Sequence, residues 1–471
     1  MKKYLSALIF SSICVFLFVQ FNNIYSYRYY GNWSIEGLYR LQKDSVDVIA
    51  AGDSHVLTTI NPAIIWENQG VPCFTVSSEG QDIWITYYRL VEALKTQNPK
   101  LIIVDVHNAV NDNQYSNDAS GVMGLLGMRL SCNKIQAVHA AVTPDKYVDY
   151  LLEFPIYHSR YAQLTKYDFE RNYGDVYLAD MKGFQPLFHS GYEACISDIS
   201  EVTGTIELNT KMEEYLYKII QLTTEHKIPL LLIAAPYCSI DGAQQMKFNR
   251  IGEIAESYGI PFINFNMYLS EIGLVPEDFA DPHHLDYNGA EKFSDFLGRY
   301  IMQHYSLMDK RGNAEYQSWD KNALDYHQLI MDYELDNSGT LDSFIEKSDN
   351  AQYTVVISMS KVDRENETVQ PMLERFGIDK DNFRRNGLWV IHEGTIVAEL
   401  ERESADTWQW VLGESDLEVT LGYECTPVTM YDGTNYAVVD NGINVFVYNN
   451  YRNCVAGYAG FLASEDFKLY K

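Results

Sequence analysis

Val46-Asp47-Val48-Ile49-Ala50-Ala51-Gly52-Asp53-Ser54-His55 is the stretch on which the reading of this chain turns. An apolar run of strand length ends in a glycine and then in Asp-Ser-His. A hydroxyl there sits at the end of a buried strand, where open α/β sheets hold their ligands. About 230 residues downstream stands Asp281-Pro282-His283-His284-Leu285, ahead of a helical pattern from Asn288. A serine alcohol is a poor nucleophile until a base takes its proton. His284 is the candidate base. Asp281, three residues earlier on a tight loop, is the candidate that orients its imidazole. Taken singly, Ser54 reads as a turn serine and Asp281 to Asp286 as a helix-capping loop. Taken together they point to a Ser-His-Asp nucleophilic site. His283 is the rival base, but its two-residue step from Asp281 favours pointing away.

The interval between the motifs alternates strand and helix patterns. Val46–Ala51, Cys73–Val76, Leu101–Val106, Leu230–Ala235 and Pro261–Phe265 read as strands. Pro62–Gln69, Asp82–Gln97, Met212–His226, Phe248–Tyr258 and Asn288–Tyr305 read as helices. Such alternation predicts a parallel sheet flanked by helices over residues 44–308. The Tyr- and His-rich stretch from about 113 to 192 interrupts the rhythm and predicts an inserted helical cap, with Tyr157, His158, Arg160 and Tyr161 as candidate lid residues. Residues 309–319 read as a polar linker. Residues 320–471 read as a separate β-rich α+β domain, with a strand at Tyr353–Met359, a helix at Thr368–Phe376 and short strands after Gly387, one of them at Ala437–Val439.

An acyl-transfer site also needs N–H donors for a developing oxyanion. The backbone of Ser54 offers one. Gly80, after the second strand, lets its N–H approach closely because it lacks a Cβ. Asn108, after the third strand, offers a side-chain amide, with Asn111 competing for the role.

The N-terminus carries an address. Lys2 and Lys3 precede about 18 uncharged residues ending at Phe21. That length reaches the lower limit for crossing a bilayer core, and the positive flank places the rest of the chain outside. Bulky residues follow in place of a small-residue cleavage site, so residues 1–27 predict an uncleaved signal-anchor. Cys14 lacks the small neighbours of a lipidation site. The 471 residues carry a formal net charge of −28. A surface so acidic repels nucleic acid and anionic headgroups, and it opposes binding of polyanionic polymers. The seven cysteines permit disulfides outside the cytoplasm, without assigning pairs. They show no zinc spacing, and adjacent side chains such as His283 and His284 do not converge on one ion. Neither a metal nor a cofactor is expected.

From Asp44 to Tyr305 these motifs resemble the SGNH (GDSL) hydrolase superfamily: Gly-Asp-Ser after the first strand, glycine after the second, asparagine after the third, Asp-x-x-His before the last helix. With a single anchor and Gly-Asp-Ser-His, the chain is similar to its extracytoplasmic envelope-modifying members, the D-alanyl transfer protein of teichoic acid synthesis and the polysaccharide O-acetyltransferases. The resemblance implies a flavodoxin-like three-layer sandwich, metal-free, forming an acyl-serine. It implies an acylated envelope glycan or glycolipid as substrate and leaves room for envelope-biosynthesis partner proteins. Gly-x-Asn-Asp is missing after the third strand, where Val106-His107-Asn108-Ala109 stands. The C-terminal segment looks somewhat like the interleukin-like carbohydrate-associated module. A non-catalytic glycan-binding scaffold is the alternative, given 36 tyrosines. An α/β-hydrolase lipase fits poorly, because Gly-x-Ser-x-Gly is absent around Ser54 and the Asp–His spacing is short.

Overall fold

The computed structural model describes residues 2–25, 33–116, 120–164, 168–169, 181–189, 191–363, 366–378, 387–401, 407–412, 415–420, 428–430, 434–465 and 467–471. The chain divides into two compact units, Met1–Ala323 and Leu324–Lys471.

The first unit is built on five strands: β1 (Val48–Gly52), β2 (Cys73–Ser77), β3 (Leu101–Asp105), β4 (Leu230–Ala234) and β5 (Phe262–Asn264). All pair in parallel, in the order β2-β1-β3-β4-β5. This is the doubly wound order in which ligands bind where the winding reverses, beyond the carboxyl ends of β1 and β3. The strand sequences show why the sheet is central. Val48, Ala50, Leu101, Ile103, Leu231 and Ile233 share one core with Phe293, Leu297 and Ile301 of the helix Tyr287–His304. The alternate residues Ile49, Ala51, Ile102, Val104 and Leu232 point the other way and are equally buried. Both faces are therefore covered, as continuous apolar runs require.

The insertion between β3 and β4 carries helices at Cys132–Ala141, Tyr147–Leu152 and Phe154–Tyr157, while residues 181–189 and 191–209 run without helix. Residues 117–119, 165–167, 170–180 and 190 of the expected cap lie outside the described residues. Asn133 ties this insertion to the helix Ile83–Ala93 through a bond from Nδ2 to the Tyr88 carbonyl, 2.9 Å. Its far end meets the N-terminal helix: Phe154 packs edge-on against Phe18 and Tyr25, and Arg160 donates to the Tyr25 carbonyl at 2.8 Å. The candidate lid residue Arg160 therefore holds the N-terminal helix. Tyr161 is 73% exposed.

That N-terminal helix, Lys2–Tyr25, contains one stretch long and apolar enough to cross a membrane, Lys3–Asn22, with mean hydropathy 2.1. None of that stretch is buried in the protein. The end of the anchor expected at residues 26–27 lies outside the described residues. The polar stretch 309–319 lies within the first unit: Lys310 donates from its backbone to the Gly70 carbonyl and from Nζ to Asp47, and Trp319 is buried with its indole N–H on the Cys73 carbonyl.

The second unit carries a six-stranded antiparallel sheet in the order β14-β13-β12-β6-β7-β8 and a three-stranded one, β11-β10-β9. The larger sheet contains β6 (Tyr353–Ser360), β7 (Gly387–His392), β8 (Thr395–Glu401), β12 (Gly442–Asn449), β13 (Cys454–Leu462) and β14 (Lys468–Tyr470); the smaller contains β9 (Thr407–Leu412), β10 (Ser415–Thr420) and β11 (Val428–Met430). One face of the larger sheet buries Val355, Ile357, Ile443, Val445 and Val447 beneath Phe344, Met372 and Leu373. The strand expected at Ala437–Val439 does not form. The Asn444 side chain takes its backbone groups instead: Oδ1 accepts from the N–H of Val438 and Val439, and Nδ2 donates to the Val439 carbonyl. The described cysteines, Cys14, Cys73, Cys132, Cys195, Cys238 and Cys454, are free thiols, and Cys425 lies outside the described residues.

Candidate active site

Chain direction and strand order bring the two motifs together. β1 ends at Gly52, and Asp53 caps the short helix Ser54–Thr59, its Oδ1 accepting from the His55 N–H at 2.9 Å. Ser54 is thus the first helical residue, and its own N–H has no carbonyl to reach within the helix. Gly52 admits no side chain at this turn: a Cβ would lie 2.6 Å from Val56 Cγ2 and 3.0 Å from Asp105 Cβ.

The second motif is a loop folded on its own carboxylate. Asp281 Oδ1 accepts the N–H groups of His283 at 2.8 Å and His284 at 3.0 Å. The Phe279–Leu285 bridge closes the loop, and the Ser239 N–H pins it through the Pro282 carbonyl at 3.2 Å. Asp286 then caps the helix Tyr287–His304 through the Gly289 N–H.

This geometry leaves His284 between serine and aspartate. Its Nε2 lies 2.8 Å from Ser54 Oγ, and its Nδ1 lies 2.8 Å from Asp281 Oδ2 and 3.0 Å from Oδ1. Burial opposes charge on Asp281. The bonds from His284 and from the His283 N–H outweigh it and hold the carboxyl below its ordinary range. The rival His283 faces elsewhere, its Nδ1 3.3 Å from Ser239 Oγ.

The oxyanion candidates share the neighbouring turn. Gly80 adopts φ +56°, which a side chain would strain, and a Cβ there would lie 2.8 Å from Ser120 Oγ. Asn108 Nδ2 donates to the Gln81 carbonyl at 2.9 Å, and its Oδ1 accepts from Asn111 at 2.7 Å. The Asn108 amide thus spends one donor on the Gly80 turn, and Asn111 braces it instead of competing with it.

Sequence reasoning did not foresee a cluster beneath the serine. His107, after β3, lies 2.8 Å through Nδ1 from Asp53 Oδ2 and stacks on His55 with ring centroids 3.7 Å apart. Tyr237 packs edge-on against both rings. Asp105 accepts from the N–H groups of His107 and Ala235. Burial disfavours charge on Asp53, but His107 and His55 hold its carboxyl far below the usual range; His107 is raised in turn, its attraction to Asp53 overcoming burial. Burial and the neighbouring Asp53 push Asp105 up. His55 is driven well below its ordinary value by burial and then by His107, and His283 is lowered by burial, His107 and His284. The one hint in the sequence was position: His107 follows β3 at the same sheet edge as Ser54.

No family model matches the chain, and neither does any curated protein. Among solved structures it is similar to a protein of Bacteroides fragilis described as a "putative acylhydrolase", at 12% identity and a TM-score of 0.28, over 57% of this chain and 94% of that one. It is similar also to a GDSL-like lipase of Bacteroides thetaiotaomicron, at 12% identity and a TM-score of 0.28, over 58% and 96%. At that distance the reading of the site rests on its own geometry.

Proposed function

We propose that this chain is an SGNH-type serine esterase or acyltransferase, anchored by its N-terminal helix and acting outside the membrane on acyl groups of an envelope glycan or glycolipid. The observation that carries the reading is the continuous hydrogen-bond line Ser54–His284–Asp281. With Nδ1–H donated to Asp281, His284 Nε2 is free to accept the Ser54 proton as Oγ attacks an ester carbonyl. The Ser54 N–H and the turn carrying Gly80 and Asn108 would receive the oxyanion. His284 then returns the proton to the leaving alcohol, which departs from an acyl-serine. Water or a sugar hydroxyl, deprotonated by the same imidazole, takes the acyl group, and His284 gives that proton to Ser54 Oγ as it leaves. The net charge of −28 favours neutral acceptors over polyanions.

The test is turnover of p-nitrophenyl acetate by the full chain in detergent, with and without an oligosaccharide acceptor, beside Ser54→Ala. Release that requires Ser54 and partitions to the sugar supports the reading. A folded wild type no faster than Ser54→Ala refutes it and leaves the glycan-binding scaffold.

A further inference from the structure

Three histidines that the triad does not use meet next to it. His55 follows the nucleophile, His107 follows β3, and His283 precedes the base. One ring nitrogen from each lies within 4.8 Å of the others. We propose that these three imidazoles bind a divalent transition-metal ion of the zinc class beside Ser54.

The surroundings of each ring support a ligand set over plain aromatic packing. Metal-bound imidazoles usually have their second nitrogen held by a carboxylate, carbonyl or hydroxyl, which fixes tautomer and orientation. His107 is held this way by Asp53 through Nδ1, and His283 faces Ser239 Oγ through Nδ1, so each has Nε2 left to offer. His55 is 1% exposed, and its Nδ1 has no hydrogen-bond partner. Tyr237 is also 1% exposed, and its hydroxyl is likewise unpartnered. Its ring centroid lies 4.9 Å from His55, 5.2 Å from His107 and 6.3 Å from His283. Two buried polar groups without a protein partner, on side chains whose rings touch, each call for a water or an ion.

The dimensions are close to those of an ion site. Zinc–nitrogen bonds of about 2.0–2.1 Å in a tetrahedron put ligand atoms roughly 3.3 Å apart. The three nitrogens must therefore close by no more than about 1.5 Å. His283, on an exposed loop, can supply most of that movement. The stacked pair, inclined by 20°, must fan apart so that its lone pairs converge. Imidazole ligands suit zinc, copper and nickel over calcium or magnesium. Three protein ligands leave a fourth position open, the pattern of reactive rather than structural sites. If the ester reading holds, a carbonyl oxygen at that position would be polarised beside Ser54, supplementing Asn108, whose amide is partly spent on Gln81. Binding itself does not depend on that reading.

The experiment is equilibrium dialysis of chelator-stripped full-length chain in detergent against Zn²⁺, with elemental analysis, and visible spectroscopy of the Co²⁺-loaded protein. The wild type, His107→Ala, His283→Ala and Ser54→Ala are compared. We expect about one ion per wild-type chain, a four-coordinate Co²⁺ spectrum, affinity lower by about tenfold or more in both histidine variants, and full retention in Ser54→Ala. His283 is exposed, so its variant folds even if His107→Ala does not. Equal retention by wild type and His283→Ala, or a six-coordinate Co²⁺ spectrum, overturns the proposal. Ion binding with an unreactive Ser54 would sink the esterase reading alone; a reactive Ser54 without ion binding would sink this proposal alone.

Discussion

Asp281→Asn separates an oriented base from a histidine that happens to touch a serine. In the wild type, Asp281 Oδ1 holds the loop through the N–H groups of His283 and His284, while Oδ2 faces His284 Nδ1 at 2.8 Å. Asparagine keeps the first function, because its Oδ1 still accepts from both N–H groups. Its amide nitrogen replaces Oδ2 and presents a donor to Nδ1. His284 must then carry its proton on Nε2, where it donates to Ser54 and cannot receive a proton from it. The same exchange at a buried carboxylate in a serine protease costs about 10⁴ in turnover. The Asp281 side chain is 43% exposed, so its attraction for the imidazolium is screened. We expect a loss of about 10³ in kcat/KM, roughly 4 kcal/mol of transition-state stabilisation. The assay is p-nitrophenyl acetate hydrolysis between pH 6 and 9, with thermal melts to show that the loop holds. A folded variant within about tenfold of wild type would refute the role of Asp281.

Other consequences are independent of that one. Gly52→Ala forces a Cβ to within 2.6 Å of Val56 and 3.0 Å of Asp105, so urea unfolding should show about 1–3 kcal/mol lost. Ester turnover should fall with it, because Ser54 follows two residues on. Asp82 is buried, and burial raises its carboxyl to about 6. The folded chain therefore holds this proton more tightly than the unfolded one, whose value is about 3.9. The stability it contributes is complete below pH 4 and is lost as the pH rises through 6, a total of about 3 kcal/mol. Asp82→Asn should flatten that stretch of the stability profile and raise the urea midpoint at pH 7; an unchanged profile would contradict the assignment. Deleting residues 2–25 should move the chain from carbonate-washed membranes to the soluble fraction, since Lys3–Asn22 is its one described stretch apolar enough to span. Retention in the pellet would disprove an anchoring role.

The strands of the parallel sheet were legible because burial on both faces leaves an unmistakable pattern. Leu101-Ile102-Ile103-Val104 and Leu230-Leu231-Leu232-Ile233 admit little else, and their observed limits differ from expectation by a residue or so. Asp281 and His284 were legible for a local reason: a three-residue step lets one carboxylate bind both loop N–H groups and the ring. The histidine cluster was not legible. His55 and His107 are separated in sequence by two helices and two strands, and only the β1–β3 pairing stacks them. The helix Gln317–Asp336 was hidden by the polar composition at its start, where Trp319 supplies the anchoring contact. Ala437–Val439 has strand composition, but a single asparagine side chain, unreadable from local pattern, takes its backbone groups.

The proposed chemistry requires Ser54 to be an activated nucleophile. The most direct measurement is reaction of the full chain with a fluorophosphonate probe, followed by mass mapping of the labelled peptide. One label per chain is expected, on Ser54, abolished in Ser54→Ala and in His284→Ala while both variants remain folded. A folded wild type that takes no label, or one labelled equally after His284→Ala, would contradict it.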